Sequence, residues 1–157
     1  MKKLHLACGN HPMKGYINVD IENLPHVDEV VDLNKDFPWK DNTIDEIYIN
    51  CSLEHLDNVY HFMTESHRVL KNGGVLHVII PHYNCGIANH VDHRWFFNFD
   101  WFKFFLVKSE REGIYEFDSP SEIAGYKIIS SKIHYSKLIS WIPIEKIKRK
   151  LIMMIGD

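Results

Sequence analysis

Residues 65–81 read ESHRVLKNGGVLHVIIP, and this stretch joins the end of a helix, a glycine turn and a buried strand. Just upstream, Val59, Phe62, Met63, Ser66, Val69 and Leu70 recur at helical spacing, and Asp57 or Asn58 can cap the start. A helix is therefore expected from Asn58 to Lys71, ended by Gly73 and Gly74. Val75 to Ile80 is a near-continuous β-rich run stopped by Pro81, as expected for a strand covered on both faces.

Working outward, short alternating stretches predict strands at Lys3 to Cys8, Tyr16 to Asp20, Asp28 to Leu33 and Ile44 to Asn50. Residues 82–97 read as a loop, and Asn98 can cap a second helix running to about Val107. Tyr126 to Tyr135 alternates as a late strand, with Gly113 to Phe117 a weaker candidate before it. Pro143 suits the first position of a last helix, in which Ile144, Ile147, Leu151, Met154 and Ile155 share a face. That segment is basic and amphipathic, a pattern compatible with an anionic membrane surface but better suited to docking on the sheet or a partner.

With 157 residues, 45 % of them hydrophobic and 25 % charged, the chain suits one globular α/β domain spanning 1–157. No apolar run approaches the ~20 residues of a membrane span, and MKKLHLACGN lacks a signal-type apolar core, so a cytoplasmic location is expected. Cys8, Cys51 and Cys85 are odd in number and far apart, which reads as free thiols. The net charge is −3, but residues 1–125 carry −8 and residues 126–157 carry +5. An acidic main body repels phosphates and argues against a nucleic-acid surface.

Three segments in order, LHLACGN, INVDI and Glu65 to Pro81, resemble class I S-adenosylmethionine-dependent methyltransferases of the type 11-like group. Leu53-Glu54-His55-Leu56 fits that family's frequent L-E-H-L element, and the resemblance spans roughly residues 3–105. It implies a Rossmann-like, mostly parallel sheet with S-adenosylmethionine as cofactor. The implied cofactor-binding residues are Cys8 and Gly9 after the first strand, Asp20 for the ribose, Asp32 and Leu33 for the adenine, and Asn50 and Cys51 near the methionine end. Ligands of open parallel sheets sit beyond the carboxyl ends of the strands, where each of these residues falls. Asp20 and Asp32 also fit the simpler role of turn formers. A nicotinamide-binding Rossmann domain would use a glycine turn and an acid too, but C-G-N-H-P-M is not G-x-G-x-x-G.

The links Gly9 to Gly15 and Ile21 to Val27 are too short for the usual crossover helices. One sheet face is therefore expected to be under-covered and apolar, which predicts a homodimer unless late segments fold back over it. Methyl transfer to a hydroxyl or protonated amine needs a base, for which His55, His82 and His93 are candidates, with His90 close by. His82, Cys85, His90 and His93 also read H-x2-C-x4-H-x2-H and could hold zinc, but a polar active-site loop is the expectation and no metal is assigned. Trp95 to Phe105 holds eight aromatics among eleven residues, most of them expected in the core. The expected acceptor is a small or sugar-like molecule. The alternative is a non-catalytic binding or assembly module of the same fold.

Overall fold

The computed structural model describes residues 1–106, 125–135 and 147–155. The early alternating stretches form β1 (Lys3–Leu6), β2 (Ile17–Asp20), β3 (Glu29–Val30) and β4 (Ile44–Asn50). Helix α1 (Val59–Val69) crosses from β4 to β5 (Leu70–Pro81). Helix α2 (Phe99–Lys103) follows, and β6 (Tyr126–Tyr135) and β7 (Ile147–Ile155) complete a seven-stranded sheet of order β3-β2-β1-β4-β5-β7-β6. The first five strands run parallel, and β7 is antiparallel to both β5 and β6. The expected mostly parallel sheet with few helices is the fold observed.

Helix α1 begins as its cap predicts, with the Asn58 side chain accepting from the His61 N–H at 3.0 Å. It ends at Val69, two residues early, because Leu70 already pairs with Ile44 in the sheet. Glu46 then pairs with Val75, so Lys71 to Gly74 form a bulge inside β5. Gly73 takes φ +75° there, and a Cβ on Gly74 would lie 2.8 Å from the Lys71 carbonyl oxygen. Asn98 likewise caps α2, accepting from the Trp101 N–H at 2.8 Å, and that helix is shorter than expected.

The segment expected as the last helix is a strand. Ile147, Leu151, Met154 and Ile155 lie in β7, with Leu151 opposite both Val78 and Ser131. Their spacing suits a helical face, but two neighbouring strands offer a backbone ladder that local spacing cannot register. Pro143 and Ile144, like Gly113 to Phe117 and Val107, lie outside the described residues.

Strand alternation sorts the sheet into two faces. Leu4, Ile47 and Leu76 are register partners, as are Leu6, Ile49 and Val78, and all six are fully buried. They share a core with Val59, Phe62, Met63 and Val69 of α1 and with Phe97, Phe102 and Phe105, while Trp95, Trp101 and Phe104 pack against it partly buried and Phe96 is exposed. The opposite face carries the rows Lys3, Glu46, Val75 and His5, Tyr48, His77. The expectation of an apolar under-covered face is thus corrected: where crossover helices are missing, the sheet presents mainly polar and aromatic side chains. Glu46 gathers them, meeting Lys3 Nζ at 2.5 Å and His77 Nε2 at 3.2 Å, and accepting from the Tyr16 hydroxyl. Burial and the Glu46 carboxylate push the Tyr16 hydroxyl up to about 12.

The Glu65 and Arg68 pair of the deciding stretch has a structural task. Arg68 Nε and Nη2 donate to the two Glu65 oxygens at 2.7 and 2.6 Å, while Nη1 reaches Asp41 at 2.6 Å. The same guanidinium donates to the carbonyls of Phe37 and Trp39, and the Phe37 N–H donates to Glu65 at 2.7 Å. The pair pins the link between β3 and β4 onto α1.

Candidate functional site

The turn after β1 is tight, with Ala7 and Gly9 both at φ +50°. The Gly9 N–H donates to Asp20 Oδ2 at 2.8 Å, and the Gly9 carbonyl lies 2.6 Å from His26 Nε2. Asp20 Oδ1 accepts from the Glu22 N–H at 3.1 Å. Each carboxylate oxygen has two acceptor positions, so Asp20 retains capacity for further donors beyond the turn it stabilises. Cys8 is buried beside Gly9, and burial pushes its thiol up, which makes it a small neutral wall rather than a nucleophile.

Asp32 accepts from the Asn34 N–H at 3.0 Å and pairs with Lys35 at 3.5 Å. The backbone donor, followed by Lys35, holds its carboxyl below the ordinary range, so it is ionised at neutral pH. Leu33 beside it is buried. At the end of β4, Asn50 is exposed, and Cys51 takes φ +50° with its N–H donating to the Ile79 carbonyl at 2.7 Å.

A cavity of about 240 Å³ opens beneath the short link from β1 to β2, lined in part by His5, Cys8, Gly9, His11, Tyr48 and Asn50. Cys8, Gly9 and Asn50, all expected at a cofactor, therefore share one cavity, with Asp20 joined through Gly9 and Cys51 next in chain to Asn50. Asp32 and Leu33 stand one strand further out. His5, His11, His26 and Tyr48 were not foreseen. For His5 and Tyr48 a signal existed, since both alternate with core residues and so must face the side that lacks helices. His5 is 4 % exposed, donates or accepts nothing at Nδ1, and burial lowers its pKa.

The candidate bases do not stay together. His55 and His93 meet edge to face with ring centroids 4.7 Å apart, and His90 lies 5.7 Å from His93. Asp92 sits 3.4 Å from His55 Nδ1 and bonds His90 Nδ1, and His90 in turn holds the Asp92 carboxyl below its usual range. His82 instead packs on Tyr83 and accepts from the Asn84 N–H at 3.3 Å. The linear H-x2-C-x4-H-x2-H grouping is not reproduced: His55 and His93 cluster with Glu54, His90 and His93 with Asp92, and neither His82 nor Cys85 is among them.

The strand order, with β7 inserted antiparallel between β5 and β6, is the Rossmann-like fold of class I S-adenosylmethionine-dependent methyltransferases. Residues 3–78 match the family described as a methyltransferase domain, and the sheet has the Rossmann-like class I methyltransferase fold. Among solved structures it is similar to the YcgJ protein from Bacillus subtilis, at 14 % identity and TM-score 0.64, covering 99 % of this chain and 91 % of that one. A putative sarcosine dimethylglycine methyltransferase from Galdieria sulphuraria gives 14 % and 0.64, covering 99 % and 78 %. The [4+2]-cyclase SpnF gives 14 % and 0.63, covering 99 % and 74 %. No curated protein sequence matches the chain. Among the described residues, no helix is long and apolar enough to cross a membrane.

Proposed function

We propose that the chain binds S-adenosylmethionine at the carboxyl edge of β1, β2 and β4 and transfers its methyl group to a small-molecule or sugar-like acceptor. The observation that carries this reading is the convergence of the Gly9 turn, the Asp20 carboxylate and Asn50 on one edge of a sheet with this strand order. In such sheets that edge is where ligands sit. The residues fit the cofactor's chemistry: Asp20 and Asp32 offer acceptors to hydroxyl and amino groups, Leu33 its backbone beside the adenine, and the open turn at Gly9 close backbone approach, with Cys8, Asn50 and Cys51 lining the methionine end.

When bound, the cofactor supplies an electrophilic methyl on a sulfonium. The protein then has to align the acceptor, exclude water and take up a proton. His55 and His93 are the groups placed together for the proton, with Asp92 orienting His55; His82 stands apart and is the weaker choice. The acidic body favours a neutral or cationic acceptor over a phosphorylated one.

Calorimetric titration with S-adenosylhomocysteine tests the cofactor site. Binding to the wild type, weakened at least tenfold in Asp20→Asn, supports it; Asp20→Asn keeps an acceptor for the Gly9 N–H, so the turn survives. Absence of binding to the folded wild type overturns the reading in favour of a non-catalytic binding or assembly module. That second reading draws on the short links after β1 and β2, which provide no helix to enclose a ligand. A homodimer would have to form on a polar rather than an apolar face, and light scattering at micromolar concentration checks it.

A further inference from the structure

We propose that Glu54, His55 and His93 form a divalent transition-metal site, oriented by Asp92 and the Ala88 carbonyl. One ligand atom from each of the three lies within 4.8 Å of the others. They come from two separate segments, the turn Leu53–His55 after β4 and the loop following Gly86–Asn89. The Arg94 N–H donates to the Glu54 carbonyl at 2.8 Å, which ties those segments together. Donors around a tetrahedral ion with bonds near 2.1 Å lie roughly 3.4 Å apart, so binding asks for only a modest rotamer closure.

The chemistry of the donors supports the assignment. Glu54 is 1 % exposed, so its carboxylate oxygens are weakly solvated and are strong ligands for a cation that the neighbouring side chains can reach. Two imidazoles with free lone pairs beside it make a cation the economical solution. A carbonyl can only accept, so the 3.1 Å contact between His93 Nδ1 and the Ala88 oxygen puts the proton on Nδ1 and leaves the lone pair on Nε2. His55 Nδ1 faces the Asp92 carboxylate in the same way. Metal-binding histidines are characteristically held by such a carbonyl or carboxylate on the far nitrogen. His90 and Asp92 form an overlapping group with His93, so a further donor lies close by. Two histidines and a glutamate are a known zinc set with an open position for water or substrate.

Cation binding stands on this geometry alone. Its role toward the reaction rests on the methyl-transfer reading, under which the ion, held by His55 and His93 in place of their service as bases, would lower the pKa of an acceptor hydroxyl bound at its open position.

The test uses the full chain, stripped with a chelator and titrated with Co²⁺ under visible absorption, then with Zn²⁺. One cobalt per chain, displaced by zinc, with binding at least tenfold weaker in His93→Ala, His55→Ala and Glu54→Gln and unchanged in His82→Ala and Cys85→Ser, is the expected result. No binding to the wild type, unchanged affinity in His55→Ala, or loss in His82→Ala overturns the site. Circular dichroism checks each variant's fold, and the half-exposed His55 gives a variant that does not depend on core packing. S-adenosylhomocysteine titration in parallel separates the two readings. Cobalt without the nucleoside ligand supports the metal site and removes its role in methyl transfer; the nucleoside ligand without cobalt overturns the metal site alone.

Discussion

On one face of the sheet, Leu4, Leu6, Ile47, Ile49, Leu76 and Val78 are sealed beneath α1 and the aromatic segment. On the other, their alternating neighbours Lys3, His5, Glu46, Tyr48 and His77 meet one another and the short link after β1. The covered face supplies apolar burial. The helix-poor face supplies the cavity that adjoins the Gly9 turn. A sheet can lose crossover helices on one side when the residues exposed there are polar enough to pair among themselves, and Glu46 provides that pairing. Apolar burial thus lies mostly on one face, and the proposed ligand contact at the edge of the other.

The largest expected effect therefore comes from the covered face. Phe62 is fully buried and packs edge to face on Phe37 at 5.8 Å. Phe62→Ala should lower unfolding stability by about 3–5 kcal/mol in urea denaturation. Tyr16→Phe, which removes from the open face only the hydroxyl that bonds Glu46, should cost roughly 0.5–1.5 kcal/mol. Equal losses from the two substitutions would break the proposed division between faces.

How far the fold was legible follows the same division. Strand alternation identifies β4 and β6 with their observed bounds, and cap residues, Asp57 or Asn58 for α1 and Asn98 for α2, mark the helix starts, Asn58 being the one used. Those are local signals. Ile147 to Ile155 has an apolar spacing that suits a helix yet forms a strand, because its pairing partners lie some twenty and seventy residues away. Missing crossover helices suggest an apolar open face, but strand alternation places His5, Glu46 and Tyr48 on it. The metal-type cluster was hidden for a related reason. Spacing within His82 to His93 groups residues along the chain, whereas Glu54 and His55 arrive from the segment after β4. Of the expected cofactor residues, Cys8, Gly9, Asp20 and Asn50 gather at one edge, because strand ends are set by the sheet itself.

The Glu65 and Arg68 clamp gives an intermediate effect. It carries the family resemblance by residue type, yet its contacts run to Phe37, Trp39 and Asp41 and not to the candidate ligand site. Glu65→Gln removes the charge opposite Arg68 and should destabilise by roughly 1.5–3 kcal/mol, the range for hydrogen bonds to charged groups. Binding of S-adenosylhomocysteine by the folded fraction should be unchanged. A variant that lost ligand affinity while keeping its melting temperature would instead give the clamp a part in the site.

The smallest effect compares one histidine from each side. His67 packs against Tyr126 with centroids 5.3 Å apart, and burial alone lowers its pKa. His5, beneath the link after β1, is lowered chiefly by burial and also by His11, but Asn18 and Asp20 act in the opposite direction. For both, the folded pKa lies below the unfolded value near 6.5, so the unfolded chain takes up a proton that the folded chain refuses. The stability these neutral imidazoles allow is complete above pH 6.5 and is lost as the pH falls from there toward the folded pKa. Melting temperature should accordingly drop by at most a few degrees per histidine between pH 7.5 and 5.5. His67→Gln should flatten that dependence more than His5→Gln, since among the described residues no group offsets desolvation of His67. The reverse order would mean that the cavity under His5 is drier than its polar lining implies, and that the two faces differ less in solvation than in composition.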